Sequence, residues 1–433
     1  MKKIIIFLGL MLTMISSVFA FSGSGAGTSG DPYIITTQSE LAEMNDDLTA
    51  YYQLANDITL VGEWTTIGGG ENWDTFTGGF DGGGFTIYDM DINPTIACED
   101  GNCAFGFIGY GDFVWVKNVT FSNADISNPS DLISYVGIIV GEGDGGVISD
   151  IKIVDSNINV DGGVVGGAVG YAYGLDIIRV SVENTDIIAN WRSGGVVGLA
   201  AGDFDELSFN GGSVYCLNDT PSWSACGGLV GEFHFSGQPT TIDNSYFDGT
   251  ITALHSVVGA IGGQAQPSAS VTLTNAYFKD SNDLDVMIDD TISQTTCSGV
   301  YFDTTLGSIS GGCLVGSATG IDLTNEVAFS SFDFVDMWQM DTYPILQSEV
   351  STPEVVAEEP EASSSGGSKR RVSSTPRAAE VEETVDEPEE KEGWDGLSDG
   401  QKLIVVALGG VVAYSIFTVK PKPRRIKEGE KIK

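Results

Sequence analysis

Carboxylates are the groups with which this chain is best supplied for chemistry. It carries 60 Asp and Glu against 20 Lys and Arg, a formal net charge of −40 over 433 residues. Two acids roughly 5 to 9.5 Å apart across a cleft can cleave a glycosidic bond. Asp46-Asp47 and Asp289-Asp290 are adjacent in sequence, which on a strand sends their side chains to opposite faces. A lyase site also needs cations to neutralise a uronate. Between residues 21 and 350 there are only Lys117, Lys152, Arg179, Arg192 and Lys279, widely scattered. Arg425-Ile426-Lys427 looks like a galacturonase triplet but lies beyond an apolar C-terminal segment. Asp81, before three glycines, and Asp144, between Gly143 and Gly145, are the candidate calcium ligands. Tight turns explain both stretches equally well, and neither matches an EF-hand or the nine-residue calcium repeat. The lack of CxxC and the spacing of His234 and His255 argue against a zinc centre.

Binding chemistry has other candidates. Tyr171, Tyr173, Trp191, Trp223 and Phe233 follow glycine-rich stretches and would stack on sugar rings if they face outward; large apolar side chains are otherwise interior. The six cysteines form three local pairs, Cys98/Cys103, Cys216/Cys226 and Cys297/Cys313. Neighbour pairing is the simplest disulfide arrangement in an exported chain. Two sequons, at Asn118 and Asn218, are candidate glycosylation sites.

These residues sit on a repeat. Similar stretches end at Gly141, Gly170, Gly198, Gly231 and Gly263, with a degenerate first copy ending at Gly109. Each is followed by a β-type segment of alternating pattern: VKNVTFSNADI, ISDIKIVDSNI, IIRVSVENTDI. Phe121, Ile153 and Val182 fall at equivalent places in them. A phosphate loop would need Lys where Tyr171 stands, and Asp161 and Asp176 bracket GGVVGGAVG too closely for a membrane helix. A coil of short parallel strands remains, in which Val and Ile stack inward on the next rung about 4.8 Å away. Glycine would supply the turns, where φ is positive or neighbouring backbones crowd.

The repeats, GGLVG at 227–231 above all, resemble the GLUG motif of bacterial and archaeal surface proteins. The segments GDPYIITTQSELAEMN, YYQLANDITL, WTTIGG and FTGGFDGGGFTIYDMDI are similar to the entry that precedes such repeats, and 321–347 to their closing segment. The resemblance implies a right-handed parallel β-helix of adhesins and other exported proteins. Some large proteases carry it as an accessory module, but no HExxH or LPxTG appears here.

The expected organisation is a signal peptide (1–20), an N-terminal capping segment (21–97), repeats (98–320), a C-terminal cap (321–350), an acidic Pro/Ser/Glu-rich disordered stalk (351–400), a transmembrane helix (401–420) and a basic cytoplasmic tail (421–433). Leu41, Met44 and Leu48 would form one helical face over one open end of the coil, and Trp338, Tyr343, Pro344 and Leu346 would plug the other. The function expected is a membrane-anchored, non-catalytic surface protein for adhesion or envelope structure, with self-association open and the glycan or protein ligand unnamed. The alternative is a polysaccharide lyase or hydrolase on the same scaffold. The acidic surface argues against nucleic acid as a partner. Calcium is the one cofactor left open.

Overall fold

The computed structural model describes residues 21–69, 74–93, 103–128, 134–217, 225–234, 239–253, 257–266, 269–280, 288–289, 294–303, 318–349, 401–408 and 411–418. The chain divides into two units, 1–355 and 356–433. The expected signal peptide, stalk and basic tail lie outside the described residues, as do Cys98, Asn218, Trp223 and Cys313.

The first unit is a parallel β-solenoid. Each coil begins with a short strand on what we call the first wall: Cys103–Phe105, Ser134–Val136, Val164–Gly166, Arg192–Gly194, Ala225–Gly227 and Val257–Gly259, six strands in one sheet. A tight turn then leads to a second wall, which includes Val169–Tyr173, Val197–Ala201 and Val230–Phe233. The chain continues around the coil and returns one rung further on. Ile148 pairs with Val116 on one side and Ile177 on the other, and Ile153 likewise with Phe121 and Val182. The repeat alignment read from the sequence is therefore the strand register itself.

The inward ladder around Phe121 continues through Phe209, Phe247, Phe278 and Phe302. Neighbouring rings lie 5.4 Å apart at Phe209–Phe247 and 6.0 Å at Phe278–Phe302. Each fully buried side chain of this size contributes about 2–3 kcal/mol, and only stacking makes the burial possible. At the N-terminal end a helix (Gln38–Ala42) starts on a Thr37/Glu40 capping box and runs into a 3₁₀ turn (Glu43–Asp46). Leu41 and Met44 are fully buried in the main core, as expected, but the helical segment ends at Asp46, and Leu48 packs against the core from the turn that follows.

The repeat glycines are not turns. Gly109, Gly141, Gly170, Gly198, Gly231 and Gly263 all lie inside strands, and none has a positive φ. Crowding is the reason for glycine there. A Cβ on Gly141, Gly170, Gly198 or Gly231 would lie 2.5–2.8 Å from the backbone nitrogen of Phe105, Val136, Val165 or Ser193, and one on Gly263 would meet that of Cys226. The second wall thus rests its backbone directly on the first.

Glycine does make some left-handed turns, at Gly145, Gly146, Gly162, Gly163 and Gly174, but two columns of corners are built mainly by polar residues. One runs Asn118, Asp150, Arg179, Glu206, Asn244, Asn275 and Gly299; the other runs Asp89, Asn123, Asp155, Asn184 and Gly211. Asn and Asp accept this conformation most readily after glycine. Their side chains also tie coil to coil: Asn123 donates to Asp89 at 2.7 Å, Asn184 to Asp155 at 3.2 Å and Asn244 to Asp205 at 3.0 Å. Replacing Asn184 by Ala should cost about 2 kcal/mol, roughly half from the corner and half from the bond. Asn184→Gly, which keeps the corner, should lose only the second half; equal losses in urea unfolding would show that the corner carries no strain.

The closing segment does not plug the end of the coil. Tyr246, Tyr277 and Tyr301 form an outward ladder on the flank, and Leu323, Phe329, Phe332, Trp338 and Leu346 cover it in a second apolar cluster separate from the main core. Trp338–Met340 and Pro344–Leu346 pair antiparallel in this strap. Tyr277 donates to the Pro344 carbonyl at 2.6 Å, and Tyr246 to Glu349 at 2.8 Å. An outward row of tyrosines needs an apolar lid with hydrogen-bond acceptors, and a side strap supplies both.

Cys216 and Cys226 are disulfide-bonded with Cα atoms 6.1 Å apart, as their spacing suggested. Cys103 and Cys297 are disulfide-bonded too, and their partners are outside the described residues. In the second unit the expected transmembrane helix is replaced by an antiparallel hairpin, Gln401–Leu408 with Val411–Thr418. No described helix is long and apolar enough to cross a membrane. Val405, Val406, Val411, Val412 and Ile416 are β-branched, and a Gly-Gly pair separates the runs, a combination that favours paired strands over a helix.

Candidate functional site

The first and second walls meet at the repeat glycines, and the seam of side chains that runs along them outside the main core cluster is what we call the groove. Along the second wall strict register sets Tyr110, Glu142, Tyr171, Leu199, Glu232 and Gln264 one above another. Tyr135 and Arg192 come from the facing first wall, with Val164 between them in the ladder.

Tyr135 of one coil stacks on Tyr171 of the next, centroids 5.4 Å apart; Tyr173 follows at 6.3 Å and His234 lies 5.7 Å from Tyr171. All three tyrosines are half-buried. Two of the residues expected to bind sugars are thus brought together. Trp191 is half-buried at the start of a first-wall strand and makes no ring contact with them among the described residues. Phe233 is fully buried in the core, a correction to the outward platform: it continues the inward column of Ala172 and Ala200.

Sequence reasoning missed Tyr135, Glu142, Arg192, Glu232 and His234. Their signal was register: once the glycines are aligned, these positions fall beside Tyr171. Arg192 is ion-paired with Glu232, which is 2% exposed and also accepts from Gln266. Burial pushes the His234 imidazole below its ordinary value. Glu142 is the most perturbed acid of the groove: burial, with help from the Asp144 charge, pushes its carboxyl up to about 7. Its Oε2 is buried with no hydrogen-bond partner. Burial likewise raises the phenols of Tyr110, Tyr135 and Tyr171, with the Glu142 charge adding to each.

The calcium candidates separate. Asp81 accepts from the Gly83 amide at 2.9 Å and from Asn118 at 3.2 Å, and pairs with Lys117 at 3.1 Å. It is a turn and an inter-coil tie. Asp144 lies at the rim of the groove in register with Asp112 and is raised by burial and by that neighbour. No group of three His, Cys, Asp or Glu side chains converges as a metal site among the described residues. The sequon Asn118 is part-buried at a left-handed corner, with its side-chain amide held by Asp81.

A second depression, of about 780 Å³, follows the corner column and includes Asp150, Lys152, Arg179 and Glu206 beside Ser348 and Glu349 of the strap. Its cations are committed: Lys152 to Glu183 at 2.9 Å, and Arg179 to Asp150 through two nitrogens.

No family model matches the chain. Halomucin of Haloquadratum walsbyi is 29% identical over 159 residues, 34% of this chain, which spans 2% of that protein's length. Among solved structures, a Bacteroides ovatus protein named for immunoglobulin A1 protease aligns with TM-score 0.48 at 18% identity, over 75% of this chain and 95% of its own. An IgA1 protease aligns with TM-score 0.43 at 15% identity, over 62% of this chain and 21% of its own.

Proposed function

We propose that the chain is a non-catalytic, surface-displayed binding protein whose solenoid serves adhesion or cell-envelope contacts, in line with the GLUG resemblance of its repeats. The aromatic stripe Tyr135–Tyr171–Tyr173, outside the core yet ordered by strand register, carries this reading. Such a row suits the stacking of sugar rings or of an extended polymer. A leader at the N-terminus exports the chain and places it at the cell surface. The acidic surface keeps nucleic acid away, and copies of the solenoid are free to associate.

The cations support the non-catalytic reading. Lys117, Lys152, Arg179, Arg192 and Lys279 are each ion-paired to a carboxylate, so none is free to neutralise a uronate. One observation favours polysaccharide hydrolysis instead: Glu142 is held toward its protonated form while Asp112 and Asp144 lie on the same wall, an unequal set of acids of the kind glycosidases use.

A polysaccharide panel separates the two. The full chain is incubated with each polymer, with and without calcium, and both retained protein and released reducing or unsaturated ends are measured. Retention without release is expected, and Tyr171→Ala should weaken it roughly 5- to 30-fold, since one stacked ring is worth about 1–2 kcal/mol. Release of new ends would overturn the binding reading in favour of hydrolysis. Retention untouched by Tyr171→Ala would move the ligand face elsewhere.

A further inference from the structure

We propose that the groove at Glu142 binds a small organic cation of the methylated-ammonium class. This rests on the groove being the ligand face proposed above, and it names what the ligand must carry at that point.

Glu142 has an oxygen that is buried and has no donor. A neutral sugar hydroxyl would supply a hydrogen bond but no charge. A cation supplies charge, and the surroundings select its kind. Tyr110 and Tyr171 flank Glu142 in register on the adjacent coils, and Tyr135 stacks on Tyr171 from the facing wall. Aromatic rings beside a carboxylate favour a bulky, weakly hydrated ammonium, which their quadrupoles attract. A hard metal ion instead asks for six or so oxygen ligands, which no described group of acids provides.

The protein's own cations do not fill the position. Arg192 is the cation that acts electrostatically on Tyr135, and it is bound to Glu232. The other four are paired with Asp81, Glu183, Asp150 and Asp248. The titratable and charged groups around Glu142 are Tyr110 and Asp112 on the preceding coil, Asp144 on its own strand, Tyr171 and Tyr173 on the following coil, and Tyr135 and Arg192 on the facing wall. Its carboxyl sits near 7 because burial and Asp144 oppose ionisation. A bound cation favours the ionised form, so binding releases a proton and tightens as pH rises.

The test titrates the full chain with choline chloride and follows tyrosine fluorescence and heat. Comparison titrations use its uncharged carbon isostere, dimethylbutanol, and sodium chloride at matched concentration. Saturable choline binding is expected at about pH 8, roughly tenfold weaker at about pH 6, where about a tenth of Glu142 is ionised. Glu142→Gln should weaken choline binding at least about tenfold and abolish its pH dependence. Tyr135→Leu should weaken binding but keep the pH dependence, and thermal melts check that both variants fold. Equal binding of the isostere, an equal signal from sodium chloride, or a pH dependence that survives in a folded Glu142→Gln would each overturn the proposal. Polysaccharide retention lost in Tyr171→Ala, with no choline binding, would discard the cation while leaving the groove as the ligand face.

Discussion

Gly198→Ala should destabilise the solenoid by about 3 kcal/mol or more, although it adds one methyl group at an ordinary φ. The new Cβ would stand 2.7 Å from the backbone nitrogen of Val165 and 2.7 Å from the carbonyl oxygen of Gly170. Both contacts are backbone in adjacent coils, so no side chain can rotate away. Relief requires the second wall to lift from the first, and that lifts every rung paired to it. Gly170→Ala should behave alike, because its Cβ meets Val136 and Gly141 at 2.5 Å. Gly30→Ala is the control: it has no neighbour within 4 Å and no positive φ, and its change should stay within about 0.5 kcal/mol. Urea unfolding of the three variants decides. A Gly198→Ala protein with wild-type stability would mean that the repeat glycines are not there for close packing.

The same contact explains which parts of the fold the sequence announces. Glycine, valine and isoleucine recur at a fixed offset because each rung repeats one packing problem, so the coil and its inward ladder can be aligned by eye. Phe121, Ile153 and Val182 show this, since they were matched by spacing and are register partners. The physical role of the glycines was half legible. Both positive φ and crowding call for glycine: crowding decides at the repeat glycines, while the left-handed corners are shared between Asn, Asp and other glycines such as Gly162, Gly163 and Gly174.

The strap was misplaced for a related reason. Trp338, Pro344 and Leu346 plainly need a surface to cover, but nothing local in them says whether that surface is the end or the flank of the coil. Tyr246, Tyr277 and Tyr301, each next to an inward residue of its ladder, mark the flank once the register is known. The groove was legible only at Tyr171 and Tyr173. Tyr135, Glu142 and Arg192 come from different coils and facing walls, and sequence distance hides a neighbourhood created by winding.

Glu142→Gln should stabilise the protein at alkaline pH and leave it nearly unchanged in acid. The carboxyl sits at about 7 in the fold, against an ordinary value of 4.5. The folded chain therefore holds this proton more tightly than the unfolded chain. The resulting penalty is absent below about 4.5, grows between about 4.5 and 7 as only the unfolded state ionises freely, and is constant above that. Its undiscounted size is about 3 kcal/mol, reduced toward about 2 by the solvent that reaches this partly exposed side chain. Gln keeps the shape and cannot ionise, so the variant should gain about 2 kcal/mol over wild type at about pH 8 and little at about pH 5. Asp144, Glu206, Asp243 and Glu349 are also raised by burial, and Asp150 is lowered chiefly by its Arg179 hydrogen bond. The raw pH profile therefore mixes several groups. The difference between variant and wild type across the two pH values reports Glu142 with its coupling to Asp144, because the remaining groups are common to both proteins. Parallel denaturation curves at both pH values would mean that the carboxylate is solvated in the folded chain. A gap that opens with pH, and closes when choline is added to the wild type, would tie the raised carboxyl of this side chain to the cation proposed to bind there.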